Sequence, residues 1–329
     1  MNPSRTLLID TFLKKSGWGG IRRLPLATDA SFRRYERLQR SGESIILMDA
    51  PPPNEDTRAY IAIARHLRQL GLSAPEVILA DEKDGLLLIE DLGNDTYSRV
   101  LAGGGDERAL YTLALDVLIE LHKMPLRTAV PPGLSRYDNT RLLQETLLFT
   151  DWYLPAVTGN KTPDDTRQTY SEAWLDVLGP VHAQPQTLVL RDYHRDNLLY
   201  LPDRDGVKAC GILDFQDAVS GPIAYDVVSL LEDARRGIDD GLATDLLERY
   251  FAAFAELDRD DFRAAYAILG AQRHAKVIGI FTRLDQRDGK PAYLEHLPRV
   301  WTLLEKSLEH PALAPVADWF NLHVPPSLR

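Results

Sequence analysis

The chain has 329 residues, 44% hydrophobic and 26% charged, the make-up of a soluble globular protein long enough for two substantial cores. Its formal net charge of −10 argues against nucleic acid or an anionic membrane as a main partner. One cysteine, Cys210, excludes an intrachain disulfide and a cysteine-rich metal site, and its apolar strand makes it a buried, inert thiol.

Residues 4–15 place Leu7, Leu8, Phe12 and Leu13 at helical spacing, so the chain opens on an amphipathic helix that Gly17, Gly19 and Gly20 end. Arg5 and Asp10 interrupt its few apolar residues, so it has no signal-peptide core. No uncharged apolar run reaches about 18 residues, and a cytoplasmic protein is expected. Strands are predicted over 21–26, 34–39 and 44–48, the first two separated by a loop of small and polar residues from Ala27 to Phe32. The three prolines at 51–53 block a helix there. Asn54 or Asp56 then caps a helix with the stripe Tyr60, Ile61, Ala64, Leu67 and Leu70, which Gly71 terminates. Two more strands, 76–80 and 86–89, run into the polar crossover Glu90-Asp91-Leu92-Gly93.

Beyond the crossover the periodicity is helical, with the stripe Leu110, Leu113, Ala114, Val117, Leu118 and Leu121. Gly103-Gly104-Gly105 follows no strand and precedes no Lys-Ser pair, so it reads as a flexible connection. Helices are expected over 138–153 and 164–182, and the remainder, 222–309, is again helical. Between them lies the densest polar stretch of the chain. A short strand over 187–190 delivers Asp192 onto a loop, Asn197 follows, 198–200 resumes a strand, and an apolar strand over 207–213 ends at Asp214. A β-rich part over 1–92 and a mostly helical part over 93–329 are the expected domains.

Phosphoryl transfer from a nucleotide needs this inventory. One carboxylate orients and deprotonates the attacking hydroxyl; a second carboxylate and an amide oxygen hold Mg²⁺ on the phosphates. The spacing D-x-x-x-x-N, followed by an apolar strand ending in D-F, matches the catalytic and metal-binding loops of the protein-kinase-like fold. The expected class is therefore α+β, a bilobal protein-kinase-like fold with a small β-sheet N-lobe and a larger, mostly helical C-lobe.

The runs Leu190 to Asn197, Leu213 to Ala218 and Ala224-Tyr225-Asp226 resemble the aminoglycoside phosphotransferase-like branch of that superfamily. Within the branch they look most like the anomeric N-acetylmuramate/N-acetylglucosamine kinase family of bacterial cell-wall recycling. The segment Thr28-Asp29-Ala30-Ser31-Phe32-Arg33-Arg34-Tyr35 resembles that family's phosphate-covering loop. The resemblance implies ATP and Mg²⁺ as cofactors and a small amino sugar as the substrate. Asp192 would be the base, Asn197 and Asp214 the metal ligands, and Asp226 a brace for the catalytic loop. Asp29, Ala30, Ser31, Phe32, Arg33 and Arg34 would face ATP phosphates, and the backbone of Glu90 and Leu92 would meet adenine. Arg141, Glu145, Trp152, His194, Arg195 and Asp217 are candidates for the sugar.

Two departures from the wider kinase pattern stand out. Leu190 replaces the usual His two residues before the base. The third strand has no lysine for the α- and β-phosphates; Met48 stands there, and Arg33 or Arg34 could grip phosphate bidentately instead. Two alternatives stay open: an aminoglycoside or similar aminated acceptor, and a catalytically dead nucleotide-binding regulator. No obligate protein partner is evident.

Overall fold

The computed structural model describes residues 3–26 and 32–329. The chain divides into two compact units, Met1–Leu113 with Arg195–Ala218 and Ala114–His194 with Val219–Arg329.

The first unit is built on a five-stranded antiparallel sheet with the order β1-β2-β3-β5-β4. Its strands are β1 (Arg23–Pro25), β2 (Arg34–Arg40), β3 (Glu43–Asp49), β4 (Val77–Asp81) and β5 (Leu86–Glu90). The central strands β3 and β5 bury apolar residues on both faces of the sheet. Leu38, Ile45, Leu47, Leu86 and Leu88 pack on Ile9, Phe12, Leu13 and Trp18, so this face is covered by α1 (Pro3–Lys15) and the turn after it. The expected α1 stripe needs correction: Leu7 and Leu8 are exposed, and the buried line is Ile9, Phe12 and Leu13, the i, i+3, i+4 set one step on. Burial of α2 (Thr57–Gln69) follows its predicted stripe through Tyr60, Ile61, Ala64 and Leu67. Asp56 is the N-cap, accepting from the Arg58 N–H at 2.9 Å, and Gly71 turns the chain out of the helix at φ +83°.

The first unit extends to Leu113 and takes in the hairpin of β7 (Leu198–Tyr200) and β8 (Cys210–Ile212). Backbone bonds explain this. The Ile212 N–H donates to Ser73 O and the Tyr200 N–H to Asp95 O, both at 2.8 Å. The expected strand over 207–213 is shorter than predicted because Gly206–Ala209 forms a 3₁₀ turn first. Gly211 keeps β8 close to its neighbours: a Cβ there would lie 3.2 Å from Leu199 and Leu201 and 3.3 Å from Leu92.

The second unit is mostly helical. Its helix Asn139–Leu148 is capped by Asp138 and continues through a π-helical turn, Phe149–Tyr153. A long helix, Arg259–Asp288, is buried along most of its middle. The strand β6 (Gln186–Val189) pairs antiparallel with β9 (Val219–Pro222). The second of these was not expected, because Val-Ser-Gly-Pro carries turn residues and is too short for periodicity. Among the described residues no helix is long and apolar enough to cross a membrane.

Candidate active site

In the first unit, Asn197 opens β7 and Asp214 follows β8, and the Leu213 N–H donates to Asn197 O at 2.9 Å, tying the two loops together. Asp214 is held at φ +56°, the left-handed region that costs a non-glycine residue about 1–3 kcal/mol. Its side chain stays 48% exposed. Gln216 Nε2 donates to Asp214 Oδ1 at 2.8 Å and to Asp217 Oδ2 at 3.3 Å. Behind it Phe215 is fully buried, its ring 4.9 Å from Tyr60 of α2. A carboxylate and a carboxamide on adjoining loops are hard oxygen donors of the kind Mg²⁺ prefers, so the residues fit that ion.

The arginine at the end of the covering loop reaches the same place. Arg33 Nη1 is 3.8 Å from Asp214 Oδ1, and Arg33 Nε donates to Glu55 Oε2 at 2.9 Å. Glu55 also accepts the Phe32 N–H at 3.2 Å, so this one carboxylate anchors the end of the loop twice. Burial works against the Arg33 charge, but Tyr35, Glu55 and Asp214 outweigh it and keep the guanidinium fully protonated. Phe32 and Arg34 are exposed. Asp29, Ala30 and Ser31 lie outside the described residues. Met48 is fully buried and pairs with Tyr35 and Leu87 across the sheet, so the strand position that usually carries the phosphate lysine holds no charge.

Glu90 closes β5 with its carboxylate in ion pairs to Arg68 at 3.0 Å and Arg204 at 2.5 Å, and Leu92 is half-buried. Arg195 donates to Ser98 Oγ at 2.9 Å through Nε. Asp217 is exposed.

In the second unit, Asp192 follows β6 on a loop whose preceding residue, Arg191, sits at φ +71°. Asp226 braces that loop: fully buried at the start of helix Ala224–Leu231, it accepts the Leu190 N–H at 2.6 Å and the Arg191 N–H at 2.9 Å. Tyr193 pins the loop from the other direction through its hydroxyl, which donates to Ala114 O at 2.8 Å. Two cations on the long helix act on Asp192. Arg273 Nη1 lies 3.7 Å from Asp192 Oδ1 and donates to Arg191 O at 2.8 Å. Lys276 Nζ lies 3.2 Å from Glu145 Oε2. Burial alone would raise the Asp192 carboxyl, but Lys276, then Arg273, His194 and Arg191, hold it below the usual carboxylate range. Asp192 is therefore ionised and able to accept a proton.

Glu145 is enclosed by Tyr137, Arg191, Gln272 and Lys276, all of which bond or pair with it, so its carboxylate is a hub for the cations around Asp192. Arg141 donates to Ser135 Oγ at 3.1 Å and Trp152 is half-buried. His194 is buried 3.9 Å from Asp233, and burial pushes its ring below the usual imidazole value against the pull of that carboxylate.

The structure therefore brings Arg33 to Asp214 and Asp226 to the Asp192 loop, and it adds Glu55, Arg273 and Lys276, which sequence reasoning missed. A signal existed for the last two. Basic residues inside the buried stretch Ile268 to Leu284 need partners, and an apolar helix rarely carries them without reason. Glu55 had no such signal.

The phosphotransferase enzyme family matches residues 23–264. The chain is 37% identical to the N-acetylmuramate/N-acetylglucosamine kinase of Caulobacter vibrioides, covering 97% of this chain and 96% of that one. It is 38% identical to the N-acetylmuramate/N-acetylglucosamine kinase of Pseudomonas aeruginosa, with 92% and 89% covered. Among solved structures, the choline kinase LicA from Streptococcus pneumoniae superposes with a TM-score of 0.61 at 11% identity, covering 92% and 99%. The ADP-bound aminoglycoside phosphotransferase APH(2'')-Ib gives a TM-score of 0.60 at 14% identity, covering 93% and 99%. The chain belongs to the phosphotransferase enzyme family and has its protein-kinase-like fold.

Proposed function

We propose that the chain is an ATP-dependent kinase of the cytoplasm that phosphorylates the anomeric (C1) hydroxyl of N-acetylmuramate and N-acetylglucosamine. The product would be the sugar 1-phosphate, returned to cell-wall synthesis in peptidoglycan recycling. The observation that carries this reading is likeness over nearly the full length to two kinases named for that sugar pair.

In this reading Asp192 takes the proton of the C1 hydroxyl as its oxygen bonds to the γ-phosphorus, the bond to the β-phosphate oxygen breaks, and ADP leaves. Asp226, Arg273 and Tyr193 hold that carboxylate in place. Asn197 and Asp214 would hold Mg²⁺, which neutralises charge on the nucleotide phosphates when bound. Arg33, fixed by Glu55, takes the role of the missing β3 lysine, its planar guanidinium suiting phosphate oxygens. The backbone of Glu90 to Leu92 meets the base.

An aminoglycoside acceptor is the competing reading. The cations clustered beside Asp192 count against it, since a polycationic substrate would meet Arg191, Arg273 and Lys276 there. The deciding assay is ADP release with Mg-ATP and a panel of N-acetylmuramate, N-acetylglucosamine, glucose, an aminoglycoside and no acceptor. Turnover dependent on either amino sugar, with an acid-labile product phosphate, is expected. Turnover with the aminoglycoside alone would move the chain to that reading, and no turnover with ATP still binding would favour a regulator.

A further inference from the structure

We propose that Arg37 is the positioning residue that sets the base-reading backbone of the nucleotide site, by bolting the crossover from Asp91 to Asn94 onto the sheet. The proposal rests on the nucleotide-binding reading above and adds a residue and a mechanism to it.

Arg37 lies in β2 and is 9% exposed. Its register partner in β3 is Ile46, so it shares the face of the sheet that carries Met48 and points away from α1. Every arm of the guanidinium is directed at the crossover. Nε lies 2.6 Å from Asp91 Oδ2, and Nη2 donates to Asp91 Oδ1 at 2.8 Å and to Gly93 O at 3.0 Å. Nη1 donates to Asn94 Oδ1 at 2.6 Å. From β3, the Ser44 hydroxyl donates to Asp91 Oδ2, and Asp91 Oδ1 in turn accepts the Gly93 N–H at 3.0 Å. Burial raises the Asp91 carboxyl, but Arg37, Ser44 and the Gly93 N–H more than reverse this, so the pair is ionic. A lysine could not make these contacts, because only a planar fork reaches a carboxylate, a carbonyl and an amide oxygen together.

The segment so fixed is short of regular structure. Gly93 sits at φ +90°, and Asn94 and Asp95 are exposed. The side chains of Glu90 and Asp91 are both engaged in ion pairs, and the Glu90 N–H donates to Glu76 O at 2.8 Å. Among the described residues, the Leu92 N–H and C=O have no hydrogen-bond partner. A donor and an acceptor at one residue are what the edge of a purine can pair with. Hydrogen bonds tolerate only a few tenths of an ångström before weakening, so the backbone at Leu92 must be held from outside the crossover. Arg37 supplies that hold without itself occupying the edge.

The test separates base from phosphate. Arg37→Met and Asp91→Asn are compared with the wild-type chain, using adenosine and inorganic tripolyphosphate as competitors of Mg-ATP. Both variants should raise the KM for ATP and the inhibition constant of adenosine by about tenfold, the effect of misaligning roughly one hydrogen bond, while kcat falls less than about threefold. The inhibition constant of tripolyphosphate should stay at the wild-type value. Equal weakening of adenosine and tripolyphosphate, or unchanged adenosine inhibition, would overturn the proposal. If Arg37→Met does not fold, Asp91→Asn decides alone, since it keeps the side-chain volume and removes only the charge partner. A wild-type chain that binds tripolyphosphate but not adenosine would overturn the base-reading role, whereas one that binds neither would remove the kinase reading beneath it.

Discussion

Asp192 is held and charged by the groups packed around its loop. Its own loop is bent at Arg191, a non-glycine residue in left-handed backbone, and two N–H bonds to Asp226 keep it there. Asp192→Asn keeps the shape and removes the base, so kcat should fall on the order of 100- to 10,000-fold while the dissociation constant for ATP is unchanged. Near-normal turnover in that variant would refute the assignment. The lowered Asp192 pKa gives a second expectation, with a definite sign. An ionised base is needed, and the cations extend its ionised range toward acid. Lys276→Met removes the strongest of them, so the acidic limb of the kcat–pH profile should move to higher pH. Glu145 remains partnered by Tyr137, Arg191 and Gln272 in that variant, so it is not left orphaned. A limb that stays put or moves to lower pH would show that Lys276 does not act on the base. Asp192, Asn197 and Asp214 could be proposed as base and metal ligands from the sequence because they fall within one stretch of strands and loops. Glu55, Arg273 and Lys276 could not, because each meets its partner across tens of residues and no spacing rule links Arg33 to Glu55 or Arg191 to Arg273.

Elements were readable to the extent that their periodicity exceeded their length in noise. All five strands of the first sheet and both helices that pack on it lie where the alternation and the caps put them. The failures are short or ambiguous: the expected α1 stripe counted the exposed Leu7 and Leu8 and left out Ile9, and β9 is four residues long and ends in Gly-Pro. The long helix Arg259–Asp288 shows what the pattern could not reveal, a backbone-to-backbone approach. A Cβ at Gly279 would stand 2.3 Å from the carbonyl carbon of Leu148 and 2.4 Å from its oxygen. Neither atom can rotate away. Gly279→Ala should therefore cost at least the 1–3 kcal/mol or so of overpacking, since helix and neighbour must part along their length. Thermal unfolding checks it at about 2–4 °C per kcal/mol. Gly179→Ala is the control: with nothing within 4 Å and an ordinary backbone, it should hold or raise the melting temperature. If both variants melt with the wild type, the close packing at Gly279 is not maintained in solution.

At the scale of the molecule, the chain crosses from the second unit to the first between His194 and Arg195, inside the stretch where the chemistry is densest. Asp192 therefore belongs to one unit, while Asn197, Asp214, Arg33 and the crossover over 90–94 belong to the other. That division predicts where ligands should be felt. Mg-ATP at about 100 times its dissociation constant stabilises what it binds by roughly 2.7 kcal/mol, enough to slow amide exchange through unfolding of that unit about 100-fold. Slowing should therefore concentrate in 32–49, 86–97 and 195–218. Chelation by EDTA should then act unevenly. Asn197 and Asp214, the proposed Mg²⁺ ligands, lie in 195–218, so protection should collapse there first. The crossover over 90–94, proposed to meet the adenine and bonded to Arg37, should keep part of its protection with ATP alone. Asp214→Ala should imitate chelation at 195–218 and make added EDTA silent. Uniform loss of protection across both segments would mean that base and metal sites do not act separately. Protection confined to 114–194 and 219–329 would place the nucleotide on the other unit altogether.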